Sequence, residues 1–181
     1  MLMRIVPALF TERTYLREFT IDDAVYLYNL NLDPEVIQFT GDKAFESIAE
    51  AKNFLEQYDQ YKKYGVGRLA VIDRKTNKFM GWCGLKFSPH LNEYDIGFRF
   101  FKIFWNQGYA TETSGKCLEF GFENLQISKI IGRSMAENKA SIKVLEKIGM
   151  TFKMNFDFDG CEGVVYQITK TEFSKVNRTI N

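Results

Sequence analysis

This chain is poorly supplied with the residues that bind metals or form disulfides. It has a single histidine, His90, in the turn-rich stretch "SPHLNE", and three cysteines, Cys83, Cys117 and Cys161, odd in number and widely spaced. That pattern argues against a disulfide framework, offers no metal-ligand spacing, and fits a reducing, cytoplasmic setting. An excess of charge is missing too. Lys and Arg total 24 against 23 Asp and Glu, a formal net charge of +1, so no broad basic field draws nucleic acid. No run of about 18 apolar residues occurs, and the opening "MLMRIVPALF" lacks the cleavage pattern of a signal peptide, so a soluble protein with no membrane partner is expected. Internal repeats and low-complexity segments are absent.

What is present suits one domain spanning 1–181: 181 residues, 45% hydrophobic and 15% aromatic, enough for a sizeable core. The segment 13–19, "RTYLREF", alternates as a half-buried strand does. Thr20 then caps a helix over 21–31 with Ala24, Leu27 and Tyr28 on one face, and Asp33-Pro34-Glu35 opens a second short helix. Ser47-Ile48-Ala49-Glu50 is a capping box ahead of an apolar stripe of Ala51, Phe54, Leu55 and Tyr58. Strands follow at 67–73, 79–87 and 93–101, joined by turns, and so predict an antiparallel meander. A helix runs to about Leu125 with Ala110, Ser114, Cys117, Leu118, Gly121 and Phe122 facing the core. Next come a strand at 127–135, a helix over 139–148 ending at Gly149, and a hairpin of 150–158 and 161–170 turned by Asp159-Gly160. Strand, helix, strand, helix in the second half implies a parallel crossover grafted onto the meander. The predicted fold is therefore α/β of mixed α+β type: a mixed, mostly antiparallel sheet with helices on both faces.

Two stretches carry chemistry. In "FFKIFWNQGYATETSGKCLEFGF" a strand end passes through Asn106, Gln107, Gly108, Tyr109, Ala110 and Thr111 into a helix. A helix start carries unpaired amides and partial positive charge, and Gly108 lets backbone approach an anion such as a pyrophosphate. The turn has neither the Gly-Lys-Ser/Thr of a Walker loop nor three-glycine dinucleotide spacing. Read alone, Gly108 could equally be a turn glycine with φ > 0 and Trp105 a core residue. In "ENKASIKVLEKIGM", Ile142, Leu145 and Ile148 form a stripe. Ser141 lies close to that inward face, where its hydroxyl either bonds back to the helix or serves a ligand. Asn138 stands where a helix cap would.

Together these stretches resemble the GNAT superfamily of N-acetyltransferases, and within it the ribosomal-protein-alanine acetyltransferase-like branch. The resemblance covers nearly the whole chain: "TERTYLREFTIDDAVYLYNLNLDPEVIQFTGD" looks like the branch's opening, "YDIGFRFFKIFWNQGYATE" its acetyl-CoA motif, "AENKASIKVLEKIGMTF" its Asn-x-x-Ser-x-x-x-Leu-Glu-Lys-x-Gly element, and "VVYQITKTEF" its ending. Trp105 is common in the branch where the wider superfamily has Gln or Arg. Asp95 replaces the branch's more usual Glu with a shorter carboxylate.

The resemblance implies an acetyl-CoA-dependent N-acetyltransferase in which the strand at 93–101 splays from a parallel neighbour at 127–135. Pantetheine would pair with backbone around Phe98, Arg99 and Phe100, and the pyrophosphate would sit on the amides of 106–111. Asn138 would bind cofactor near the thioester, and Ser141 would protonate the departing thiolate. Backbone N–H groups near 98–100 would hold the developing oxyanion, with no cysteine nucleophile and no metal. An alkyl ammonium has no lone pair, so a base must remove a proton first. Asp95 is the first candidate, Glu93, on the same strand face, the reserve, and a water chain the third route. The acceptor is a primary amine, either the α-amine of a protein N-terminus or a small molecule such as a polyamine or aminoglycoside. The acidic tilt of residues 31–45 (Asp33, Glu35 and Asp42 against Lys43) keeps the polycations in play. A non-catalytic CoA-binding domain and a nucleotide-binding module are the rival classes, and a homodimer is compatible with the reading.

Overall fold

Alternate residues of one strand seed two different cores. In β3 (Arg68–Asp73), Leu69 and Val71 join Cys117, Leu118 and Phe122 on one face of the sheet, whereas Ala70 and Ile72 join Leu27 and Phe79 on the other. A strand with both faces buried requires helices on both sides, and the chain supplies them. The computed structural model describes residues 6–158 and 160–180, with side chains described to residue 175. Asp159, half of the predicted turn, lies outside the described residues.

The chain begins with β1 (Leu9–Phe10), a two-residue strand not predicted above, paired with β2 (Thr14–Arg17). Thr20 caps the first helical segment as expected, but its first turn is 3₁₀. The Asp23 carboxylate, 2% exposed, accepts the Thr20 amide at 2.8 Å and both Arg17 Nη groups at 2.6 and 2.8 Å, which holds Ile21–Asp23 in a 3₁₀ turn ahead of α1 (Ala24–Leu32). Asp33 caps α2 (Pro34–Ile37), its carboxylate accepting the Glu35 amide at 3.0 Å. Ser47 caps α3 (Ile48–Glu56), but Glu50 reaches back past the Ser47 amide to that of Glu46, one residue beyond the expected box. The apolar stripe of α3 buries Ala51 fully and leaves Phe54 exposed toward a cleft. After α4 (Gln60–Tyr64), β3, β4 (Phe79–Ser88) and β5 (Glu93–Phe100) form the antiparallel meander.

Helix α5 (Tyr109–Glu119) runs on into a π-helical turn at Phe120–Asn124, followed by β6 (Lys129–Met135) and α6 (Lys139–Lys147). The hairpin β7 (Thr151–Phe158) and β8 (Cys161–Thr169) precedes a final helix, α7 (Lys170–Ile180). The sheet order is β1-β2-β3-β4-β5-β6-β8-β7, with β5–β6 its parallel pair. Leu118, Phe122, Ile130, Leu145 and Ile168 are buried to 2% or less. Each such burial contributes about 1.5–3 kcal/mol. Among the described residues no helix is long and apolar enough to cross a membrane.

The parallel pair is the feature that places the site. β5 and β6 pair from Tyr94↔Ile130 to Ile96↔Gly132 and then part. On its other edge β5 stays paired with β4 as far as Phe100↔Gly81, and β6 stays paired with β8 as far as Met135↔Gly163. From Gly97 to Phe100 one edge of β5 thus faces an opening instead of a strand.

Candidate active site

The opening is a cleft of about 1300 Å³ that passes between the two strands and reaches both faces of the sheet. Asp95, Phe98, Arg99 and Phe100 line it from β5. Asn106, Gly108, Tyr109, Ala110 and Thr111 line it at the start of α5, and Asn138 and Ser141 line it at the start of α6. Two predicted residues stand apart. Gln107 turns its side chain back to the Ile103 carbonyl at 2.6 Å, and Glu93 bonds Lys129 and Arg133 at 3.2 and 3.0 Å outside the cleft. Trp105, for which a core position was one of two readings, is 38% exposed and lines the cleft, its indole donating to the Phe100 carbonyl at 2.8 Å.

Asn106 (φ 58°) and Gly108 (φ 82°) both take the left-handed conformation, reversing the chain so that α5 starts with its axis toward the cleft. The Gly108 carbonyl receives the Glu112 amide at 3.0 Å, so the amides of Tyr109, Ala110 and Thr111 have no acceptor within the helix and point out of its end. Arg13 braces the turn. Its Nη1 donates to the Gln107 carbonyl at 2.9 Å, it pairs with Glu112 at 2.6 Å, and its guanidinium lies 4.0 Å from the Tyr109 ring centroid. Burial pushes the Glu112 carboxyl up, but hydrogen bonds from Thr11 and Arg13 outweigh it and hold the group below the usual carboxylate range. Such a cradle of free amides, beside an open strand edge, fits a pyrophosphate carrying an extended amide-bearing arm.

On the other side of the sheet, sequence reading missed the residues that surround Asp95. Arg68, at the start of β3, bonds the Asp95 carboxylate through Nη2 and the Gly84 and Asp95 carbonyls through Nη1. The guanidinium lies across Gly97, where a Cβ would stand 2.7 Å from its Cζ, so this position admits no side chain without displacing Arg68. Two tyrosines fix Arg68, Tyr58 from the link between α3 and α4 and Tyr61 from α4. Tyr58 Oη accepts its amide at 2.7 Å, and Tyr61 Oη donates to its carbonyl while accepting the Phe19 amide. Burial pushes both phenols up, so they stay protonated at neutral pH. The Asp95 Oδ1 atom is left without a hydrogen-bond donor among the described residues.

At the start of α6, Asn138 Oδ1 accepts the Ser141 amide at 3.0 Å, so Asn138 is a helix cap whose amide nitrogen remains available to the cleft. No side-chain bond ties the Ser141 hydroxyl back to the helix. Cys83 and Cys117, distant in sequence, meet in the core with their sulfurs 3.9 Å apart, away from the cleft. The hydrogen bond with Cys83, together with burial, holds the Cys117 thiol well above the ordinary range. Cys161 is exposed.

Residues 13–151 match the family model described as an acetyltransferase (GNAT) domain. The Bacillus subtilis protein YkkB is 34% identical over 148 residues, covering 80% of this chain and 85% of its own length. A GNAT-family acetyltransferase from Bacillus anthracis superposes with a TM-score of 0.79 at 24% identity, covering 91% of this chain and 99% of that one. The ribosomal-protein-S5-alanine acetyltransferase from Vibrio fischeri superposes with a TM-score of 0.78 at 14% identity, covering 92% and 98%.

Proposed function

The chain belongs to the GNAT acetyltransferase domain family, and from that premise we propose that it acetylates a primary amine, the N-terminal α-amine of a protein, by direct transfer while donor and acceptor share the cleft. The observation that carries this reading is the parting of β5 from β6 beside the free amides of α5. Acetyl-CoA, the donor this family generally uses, supplies an acyl group activated as a thioester. The amides of Tyr109, Ala110 and Thr111 would take its pyrophosphate, and the open edge from Gly97 to Phe100 its amide-bearing arm. Backbone N–H groups on that edge are aimed where negative charge develops.

Asp95 is the residue best placed to receive the amine. Its free Oδ1 can accept an amine hydrogen and orient the lone pair, and the proton leaves through water in the cleft. Glu93 is held by two cations outside the cleft, which favours Asp95. Ser141 holds a proton at Oγ on the cofactor side, ready for the departing sulfur. Ser141→Ala is therefore expected to lower kcat by about 10²-fold with KM for acetyl-CoA little changed. An equal loss of binding and turnover in steady-state kinetics would make Ser141 a cofactor contact instead.

A polycationic acceptor loses its support, because the acids of residues 31–45 are already engaged: Asp33 caps α2, Glu35 bonds Lys102, and Asp42 bonds Arg99. The Vibrio fischeri structure, named for a ribosomal protein, is in line with a protein acceptor in the ribosomal-protein-alanine acetyltransferase-like branch. Mass spectrometry of acetyl-CoA reactions with α-amine peptides, spermine and an aminoglycoside tests the assignment. The peptide should gain acetyl at its α-amine. Turnover of spermine or the aminoglycoside alone would overturn the protein acceptor.

A further inference from the structure

Beyond the amine itself, we infer that the acceptor carries a carboxylate close to that amine and that Arg99 is the group that recognises it; this deepens the amine-acceptor reading above and rests on it. Arg99 shares its strand face with Asp95 and Gly97 and is 9% exposed. Its Nη1 donates to Asn31 Oδ1 at 2.6 Å and its Nη2 to the Asp42 carboxylate. Its Nε has no partner and, among the described residues, is the buried side-chain polar atom left unsatisfied. A guanidinium offers five donors and is seldom buried with one idle, because the lost hydration is not replaced.

The two partners differ in kind. Asn31 is 7% exposed and belongs to α1, so it is a fixed part of the wall. Asp42 has a side chain 57% exposed and lies in a segment, 38–47, without regular structure. A carboxylate on such a segment occupies the position that an acceptor carboxylate could take, with the idle Nε completing a bidentate fork.

The surroundings favour an anion. Lys43 and Lys86 line the same half of the cleft with no acidic partner among the described residues, while Asp95, Asp42, Glu35 and Asp59 are each paired to a cation. Trp82 is shared by the two sites. The Arg99 and Arg68 guanidinium carbons lie 5.2 and 5.5 Å from the centroid of this one indole, and Arg68 holds Asp95. The amine site at Asp95 and the anion site at Arg99 therefore lie beside the same indole on one face of β5. The second residue's side-chain carboxylate and the C-terminal carboxylate of a dipeptide are the two sources of such an anion near an α-amine.

Initial rates of acetyl transfer to Ala-Asp amide, Ala-Asn amide and Ala-Asn with a free C-terminus separate these sources. Wild-type protein should prefer at least one carboxylate-bearing acceptor over Ala-Asn amide by about 10-fold or more in kcat/KM, through KM. Arg99→Lys, which keeps the charge but loses the fork, should erase most of that preference. Asp42→Asn, which removes the internal competitor, should increase it. Calorimetric binding of N-acetyl-Ala-Asp amide against its Asn counterpart reads the same discrimination without turnover, so it decides the matter if Arg99→Lys fails to fold or if no dipeptide is acetylated. Equal kcat/KM for all three acceptors, or equal binding of the two acetylated peptides, overturns the role of Arg99 and leaves amine acetylation standing. Failure of every amine would count against the amine-acceptor reading itself.

Discussion

Replacing Asp95 by Asn is expected to cost the fold about 3–5 kcal/mol in addition to slowing turnover. The carboxylate and the Arg68 guanidinium have side chains only 13% and 16% exposed, and Arg68 is further bound to two strand carbonyls and held at its backbone by Tyr58 and Tyr61. Removing the anion alone leaves a cation that cannot swing out to water, the circumstance in which breaking an ion pair is most destabilising. Urea unfolding should show a lower midpoint with an unchanged slope. Substituting Arg68→Gln in the Asp95→Asn background should recover much of the loss, because the pair is then removed as a unit. A loss under about 1 kcal/mol would mean that the pair behaves as a solvated surface bridge, and Asp95 would then be free to act as a mobile base.

Gly108→Val is expected to abolish the stabilisation that acetyl-CoA confers. A ligand at 100 times its dissociation constant adds about 2.7 kcal/mol to a protein that binds it only when folded. The conflict is conformational. A Cβ at this position would meet Arg13 Nη2 at an ordinary 3.5 Å, but φ is 82°. A β-branched residue is strained there by about 1–2 kcal/mol, or it moves the turn and re-aims the amides of Tyr109 to Thr111. Thermal unfolding of the unliganded variant should fall only by that strain, while the shift on adding acetyl-CoA should vanish. A full shift in the variant would remove this turn from the cofactor site.

The parts of the molecule legible in its sequence are those governed by local chemistry. Gly108 before a helix, Asn138 as a cap three residues ahead of Ser141, and the strand alternation of 93–101 are short-range signals, and the cleft contains each of them. Arg68 and Arg99 were not legible as side chains with a task. Arg68 reads as the polar start of a strand. Its meaning depends on the register that sets it against Gly84 and beside Gly97, and on Tyr58 and Tyr61, from the α3–α4 link and α4, that fold over it. The Cys83–Cys117 contact likewise arises only where α5 crosses β4. The hairpin at the end of the chain announces its own pairing, and the apolar run Val164-Val165-Tyr166 of β8, against the strict alternation of β7, is the local trace of β8 rather than β7 lying against β6. Thr20 is the cap of the first helical segment, as expected, and what the sequence does not announce is that the buried Asp23, bound to the Thr20 amide and Arg17, makes its first turn 3₁₀.

If acetyl-CoA lies in the opening between β5 and β6, a crystal structure of the complex with coenzyme A shows it most directly. The predicted result has pyrophosphate oxygens within about 3 Å of the amides of Tyr109, Ala110 and Thr111, the pantetheine amides paired with β5 between Gly97 and Phe100, and the sulfur beside Ser141. Coenzyme A bound elsewhere, or bound here with its sulfur pointing away from Ser141 and Asp95, would contradict it.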